Sequence, residues 1–269
     1  MQKIETPDIL YYKWAVQNPD AVFLLVHGMG AHSGRWGFLA DWFLKQNISS
    51  YSLELKGFGE APGVRGHIDS LSIYYRDILK LADKIREENP GKKVMLLAES
   101  MGGLIAFMTA ALYPGSFDGL IAISPAFANG MKISPLTMLD MVTAMLYNQK
   151  KQFKMPFNAQ MCTVDGEYRK VMDADPREHR FATSRLLWEI LVAQLKSGFV
   201  KDKIKIPVLF LFAGKDYLVN TGPGIKMFKS LKTDRKKMIE YPEMQHALSI
   251  EKDRDKVFSD ILEWISSVR

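Results

Sequence analysis

The sequence predicts a doubly wound α/β fold, a mostly parallel sheet with helices on both faces. Two observations carry that expectation: short apolar runs bounded by turn residues recur along the chain, and segments of helical periodicity separate them. The runs are Ala21 to Val26, Ser50 to Leu55, Val94 to Ala98, Gly119 to Ser124 and Pro207 to Ala213. Three of them are apolar almost throughout, which suits strands buried on both faces of a parallel sheet better than half-exposed antiparallel ones. Between them, Tyr74, Ile78, Leu81 and Ile85 recur at spacings of three and four, and Val257, Ile261, Leu262, Ile265 and Val268 repeat that pattern near the end.

The alternation breaks between about Ala126 and Lys201, where no convincing strand is visible and helical segments dominate. This predicts a core of residues 1–125 and 202–269 interrupted by a helical cap at 126–201. Seven of the fifteen methionines fall inside the interruption: Met131, Met138, Met141, Met145, Met155, Met161 and Met172. Leu136 to Tyr147 is apolar around most of its circumference. Flexible thioethers suit an adaptable apolar surface, with Met138 and Met145 as candidates to touch substrate, and they equally suit packing of the cap onto the core.

Composition narrows the function classes. With 269 residues, 47% apolar and 25% charged, the chain is an ordinary globular protein and not a disordered or low-complexity one. The longest apolar runs are far shorter than the ~20 residues that span a bilayer. The opening MQKIETPDIL has a glutamate, a proline and an aspartate where a secretory signal carries its apolar stretch, so a cytoplasmic location is expected. One cysteine, Cys162, allows no intrachain disulfide and too few thiolates for structural zinc. The net charge of +6 is spread among interleaved signs, so no nucleic-acid partner is expected, although a diffuse positive field attracts anionic lipid weakly.

The chemistry is concentrated around one serine. The run Val94 to Ala98 leads into Glu99-Ser100-Met101-Gly102-Gly103 and then an apolar helix beginning near Leu104. A nucleophilic serine on a tight turn between strand and helix needs small residues two positions either side, and Ala98 and Gly102 supply them. A serine hydroxyl also needs a base oriented by a carboxylate. Asp216 follows the run Pro207 to Ala213 through Gly214-Lys215, and His246 precedes the last helix, giving the order Ser, Asp, His. Of the five histidines, His27 beside Gly28 reads as a loop organiser, while His32, His67 and His179 precede the acid. Two amide donors must also face the developing oxyanion. The N–H groups of Met29, in His27-Gly28-Met29-Gly30, and of Met101, at a helix start, are the candidates, with Gly28 letting the backbone approach substrate.

These pieces together resemble the monoacylglycerol lipase and lysophospholipase branch of the α/β-hydrolase superfamily. The resemblance rests on His27-Gly28-Met29-Gly30-Ala31-His32-Ser33-Gly34-Arg35-Trp36, on Lys56-Gly57-Phe58-Gly59 with Arg65-Gly66-His67-Ile68, on the segment around Ser100, and on Gly214-Lys215-Asp216 and Gln245-His246. Departures from the pattern are Ala98 where glycine is usual, Glu54 where aspartate is common, and Glu99 where histidine is frequent; Glu99 puts an extra carboxylate near the nucleophile. The resemblance implies that the cap covers an acyl-chain tunnel with Arg35 and His32 near its mouth, although both residues equally suit a structural role; the apolar cap and weakly positive surface suit transient contact with membrane surfaces.

The expectation is therefore a serine carboxylesterase acting on a single-chain lipid ester, a monoacylglycerol or lysophospholipid, without metal or organic cofactor. Short-chain or aryl carboxylesterases and peptidases keep the same triad, and fold does not separate them. A non-catalytic ligand-binding protein on this scaffold is the reading from a different class.

Overall fold

A computed structural model of the chain describes residues 1–268. Among these, eight strands form one sheet: β1 (Gln2–Glu5), β2 (Leu10–Trp14), β3 (Ala21–Val26), β4 (Ile48–Glu54), β5 (Val94–Glu99), β6 (Gly119–Ile123), β9 (Val208–Lys215) and β10 (Lys236–Gln245). Their spatial order is β1-β2-β4-β3-β5-β6-β9-β10. β1 pairs with β2 and β2 with β4 antiparallel, and every other neighbour is parallel. β3, β5 and β6 are buried along their whole length, as strands covered on both faces must be.

Helices supply that cover. On one face, α2 (Leu71–Glu88) and α3 (Met101–Leu112) pack against Val22, Leu24, Leu96 and Phe210. On the other, α1 (Gly37–Leu44) and α9 (Arg254–Val268) meet Phe23, Leu25, Leu97 and Leu211. The alternate residues of each strand thus feed two separate apolar layers, which is the doubly wound arrangement the apolar runs predict. α8 (Thr221–Ser230) connects β9 to β10. Three strands escape the sequence pattern. β1 and β2 form an edge hairpin, and β10 is a partly exposed edge strand interrupted by Pro242 and a register shift after Tyr241.

Between β6 and β9 the chain leaves the sheet. It forms α4 (Pro135–Tyr147), α5 (Ala159–Cys162), α6 (Gly166–Ala174) and α7 (Ser184–Val200), as the helical periodicity suggests. It also contains two short strands, β7 (Gln152–Lys154) and β8 (Phe181–Thr183), paired antiparallel, which corrects the strand-free expectation for this segment. At three residues each they are too short to show a period of two in sequence. Among the described residues no helix is long and apolar enough to cross a membrane.

Candidate active site

The site assembles at the carboxyl ends of the parallel strands, where open α/β sheets place their ligands. β5 ends at Glu99 and α3 begins at Met101, three residues earlier than the apolar pattern suggests, so Ser100 alone makes the turn. Its backbone sits at φ 60°, ψ −123°, a region that costs an L-residue of order 1–3 kcal/mol. The surroundings enforce it: the Ser100 N–H donates to Ile123 O at 2.9 Å, and the Ser100 carbonyl accepts from Ala126 N–H at 3.0 Å. Small neighbours make the turn feasible. A Cβ on Gly102 would lie 2.4 Å from Val26 O, and one on Gly28 would lie 2.9 Å from the Ser100 Cβ.

Asp216 follows directly on β9 and His246 on β10, so both sheet-edge loops deliver their side chains to the same place. His246 Nδ1 lies 2.7 Å from Asp216 Oδ2, and Asp216 Oδ1 accepts the N–H groups of Leu218 and Val219, each at 2.9 Å. The aspartate is therefore fixed by its own turn while holding one nitrogen of the ring. Burial pulls the His246 pKa down, but the charge and hydrogen bond of Asp216, with the Glu99 charge behind them, outweigh it and leave the imidazole above its ordinary value.

Ser100 and His246 both line a cavity of about 250 Å³, together with Gly28, Met29, Met101 and Arg35. Met101 is the first residue of α3 and carries one of the amide hydrogens that a helix leaves unbonded. No hydrogen bond among the described residues takes up the Met29 N–H. Most of the remaining wall is apolar, with Met131, Met138, Met141 and Met155 beside Trp188 and Leu191, all from the inserted segment, and a few polar side chains such as Asn129 and Gln194 among them. Met161 and Met172 instead join a cluster that reaches Leu218, Ala247 and Ile250 of the core, the packing use of the insertion's methionines. Met145 does not line the cavity.

The remaining histidines have other partners. His27 Nε2 accepts from Leu55 N–H at 3.1 Å and its Nδ1 lies 2.9 Å from Gly28 O, so it braces the loop after β3 as expected, with burial pushing its pKa down to about 4. His32 does not reach the cavity either. Its Nδ1 accepts from Gly34 N–H, its Nε2 lies 3.2 Å from Asp175, and burial first, then Arg177, lowers its pKa to about 3. Arg35 does line the cavity, but Glu178 holds its guanidinium with two bonds of 2.6 and 2.5 Å, so it ties core to insertion. Three further residues carry no signature in the sequence, because their partners lie at distant or unpatterned positions: Glu178 on Arg35, Glu251 on the Gln245 N–H, and Ser249 on Glu99. Among the described residues no cluster of three or more His, Cys, Asp or Glu is arranged to hold a metal ion.

A serine strained onto a strand-to-helix turn, a histidine–aspartate pair on neighbouring strand ends and a doubly wound sheet are the framework of an α/β hydrolase. Residues 17–253 match the family described as "Serine aminopeptidase, S33", and the chain belongs to that family of hydrolases. The human protein named monoglyceride lipase is 26% identical over 257 residues, covering 92% of this chain and 83% of its own. Phospholipase YtpA of Bacillus subtilis is 26% identical over 254 residues, covering 92% and 95%. The crystal structure of Paleococcus ferrophilus monoacylglycerol lipase superimposes with a TM-score of 0.85 over the whole of both chains at 24% identity, which establishes the fold.

Proposed function

We propose that this hydrolase is a serine carboxylesterase cleaving single-acyl-chain lipid esters, a monoacylglycerol or a lysophospholipid. The observation that carries the reading is the cavity, whose catalytic-end residues Ser100 and His246 open onto a wall of methionine, leucine and tryptophan from the inserted segment. Such a wall solvates an acyl chain and offers little to a peptide backbone, whose buried N–H and C=O groups would lack partners. The relatives named for monoglyceride and phospholipid substrates support the same class.

In the proposed cycle Ser100 Oγ attacks the ester carbonyl while His246 Nε2 takes its proton. The negative charge that develops on the carbonyl oxygen is met by the N–H groups of Met29 and Met101, the latter at the positive end of α3. Asp216 keeps the ring in the tautomer that presents Nε2 and steadies the imidazolium. His246 then protonates the departing alcohol, and water repeats the sequence on the acyl-enzyme to release the fatty acid.

The proposal extends to delivery. α4 leaves Leu136, Leu139 and Leu146 exposed, the last at 90%, and α7 leaves Leu195 and Phe199 exposed. These apolar rows on the inserted segment suit brief contact with a membrane surface from the cytoplasmic side. The decisive experiment pairs fluorophosphonate labelling of Ser100 with a panel of long-chain monoacylglycerols, lysophosphatidylcholine, short aryl esters and peptide amides. Labelling lost in Ser100→Ala and fastest turnover on the single-chain lipids are expected, and preference for peptide amides or short aryl esters would overturn the substrate assignment.

A further inference from the structure

The residue ahead of the nucleophile performs no step in the proposed cycle, yet it lies against the machinery. Glu99 is the last residue of β5, is buried, and lines the cavity beside Ser100, His246 and Arg35. A carboxylate withdrawn from water costs several kcal/mol unless it is well partnered, so its contacts define its use. Its Oε1 accepts the Ser249 N–H at 3.3 Å and its Oε2 accepts the Ser249 hydroxyl at 3.2 Å. Ser249 belongs to the short turn Leu248–Ile250 that immediately follows the His246 loop. On the other side of the ring, Gln245 N–H donates to Glu251 Oε1 at 2.6 Å. The imidazole is thus carried on a segment pinned at both ends by a carboxylate, and one of those two comes from the nucleophile's own strand.

Charge adds to position. His246 is faced by Asp216 and Glu99 as anions and by Arg35 as a cation. That cation is bonded on two atoms to Glu178, so its positive charge is largely spent. Glu99 in turn is faced by His246 and Arg35, and its charge reaches Cys162 and Tyr168. Burial pushes the Cys162 thiol up to about 11 and raises the Tyr168 phenol, so both stay neutral at physiological pH.

We infer that Glu99 is a positioning residue for His246, one buried carboxylate that ties down the turn behind the imidazole through Ser249 and sets a second negative charge, beside that of Asp216, toward the ring that must accept a proton. The inference rests on the proposed roles of Ser100 and His246. Burial leaves the Glu99 pKa above its ordinary value even against the lowering by the His246 charge and the Ser249 bonds, and the two protonations are linked: a proton on the ring favours the ionised carboxylate, and the ionised carboxylate favours the proton. Removing the charge makes the ring less basic. The acidic limb of activity, where the base becomes protonated, then moves to lower pH.

The test is the pH dependence of the fluorophosphonate labelling rate of Ser100 in the whole protein, for wild type, Glu99→Gln, Glu99→His and Glu99→Asp. Glutamine and histidine both remove the negative charge, so either suffices should the other fail to fold. Both are expected to keep, at a pH on the acidic limb, about twofold or more of the wild-type fraction of their own plateau rate, with the plateau itself falling less than about tenfold. Glu99→Asp keeps the charge and is expected to leave the limb in place while labelling more slowly. A neutral variant that folds and titrates like wild type, or an aspartate variant displaced as far as glutamine, would overturn the inference. Absence of labelling in wild type would remove the serine mechanism and this inference with it, whereas labelling with unmoved limbs removes this inference alone.

Discussion

The Arg35–Glu178 pair offers a sharp stability measurement. The Arg35 side chain is 8% exposed and that of Glu178 6%, so the pair is nearly dry and the ~0–1 kcal/mol typical of surface bridges does not apply. Replacing one partner strands the other: Arg35→Met leaves the Glu178 carboxylate buried without its cation, at a cost of about 3–5 kcal/mol. A nearby group softens that loss. His32 Nε2 lies 3.7 Å from Glu178 Oε1 and is held neutral, chiefly by burial and by the charges of Arg177, with Arg35 adding to the repulsion. Removing Arg35 takes away one of the charges that hold the ring neutral and so shifts it toward protonation beside Glu178, which moves the cost toward the lower end of that range as pH falls. The double variant Arg35→Met, Glu178→Met removes both charges and fills the space with side chains of similar reach, and it should fall within about 1 kcal/mol of wild type. Denaturant unfolding of the four proteins closes the cycle, and a coupling of several kcal/mol is expected. Single losses under about 1 kcal/mol that simply add in the double variant would refute the dry-pair reasoning.

Other outcomes follow from the same geometry. Ser100→Ala and His246→Ala should lower ester turnover by several orders of magnitude with an unchanged far-ultraviolet circular dichroism spectrum, and Asp216→Asn somewhat less; an active Ser100→Ala protein would end the triad assignment. Because Ser100 holds φ at 60°, Ser100→Gly should be more stable than Ser100→Ala by about 1 kcal/mol in denaturant unfolding, and equal stabilities would show the turn to be unstrained. Glu54 is buried with Oε2 accepting Ser33 N–H and Oε1 unpartnered among the described residues, and burial raises its pKa to about 7. Since the folded state favours its protonated form, its penalty is absent below the ordinary value, grows as pH rises, and is complete above about 7. Glu54→Gln should therefore gain roughly 2–4 kcal/mol over wild type at pH 8 and nothing at pH 4, measured by denaturant titration at both.

The parts of this molecule that show in the sequence are those whose chemistry is written in consecutive residues. Ala98 and Gly102 on either side of Ser100 announce a tight strand-to-helix turn, since a Cβ at Gly102 would meet the backbone of β3, and the fully buried strands β3, β5 and β6 show as largely apolar runs. Asp216 is legible because it follows an apolar strand run through Gly214-Lys215, and His246 because it precedes the last helix and comes after the acid in the order a triad needs. Edge strands carry no such mark. In Lys236–Gln245 half-exposed charged residues and Pro242 hide the pairing with β9, and β7 and β8 are too short for any period. Least legible are the polar ties made by folding: Arg35 and Glu178 lie 143 positions apart, Glu99 and Ser249 150. For the same reason His32 and Met145 read as substrate contacts in one dimension and stand outside the cavity in three.

Glu251 has a consequence for engineering. Besides Gln245 N–H, its carboxylate accepts the Thr163 hydroxyl at 2.9 Å and the Val164 N–H at 3.0 Å, while Ala247 N–H donates to Cys162 O at 2.8 Å. The loop bearing His246 is therefore stitched to the inserted helices on either side of the ring. Exchanging that lobe between relatives would also shift the His246 ring, unless the stretch from Cys162 to Val164 stays with the recipient and the donor supplies the rest.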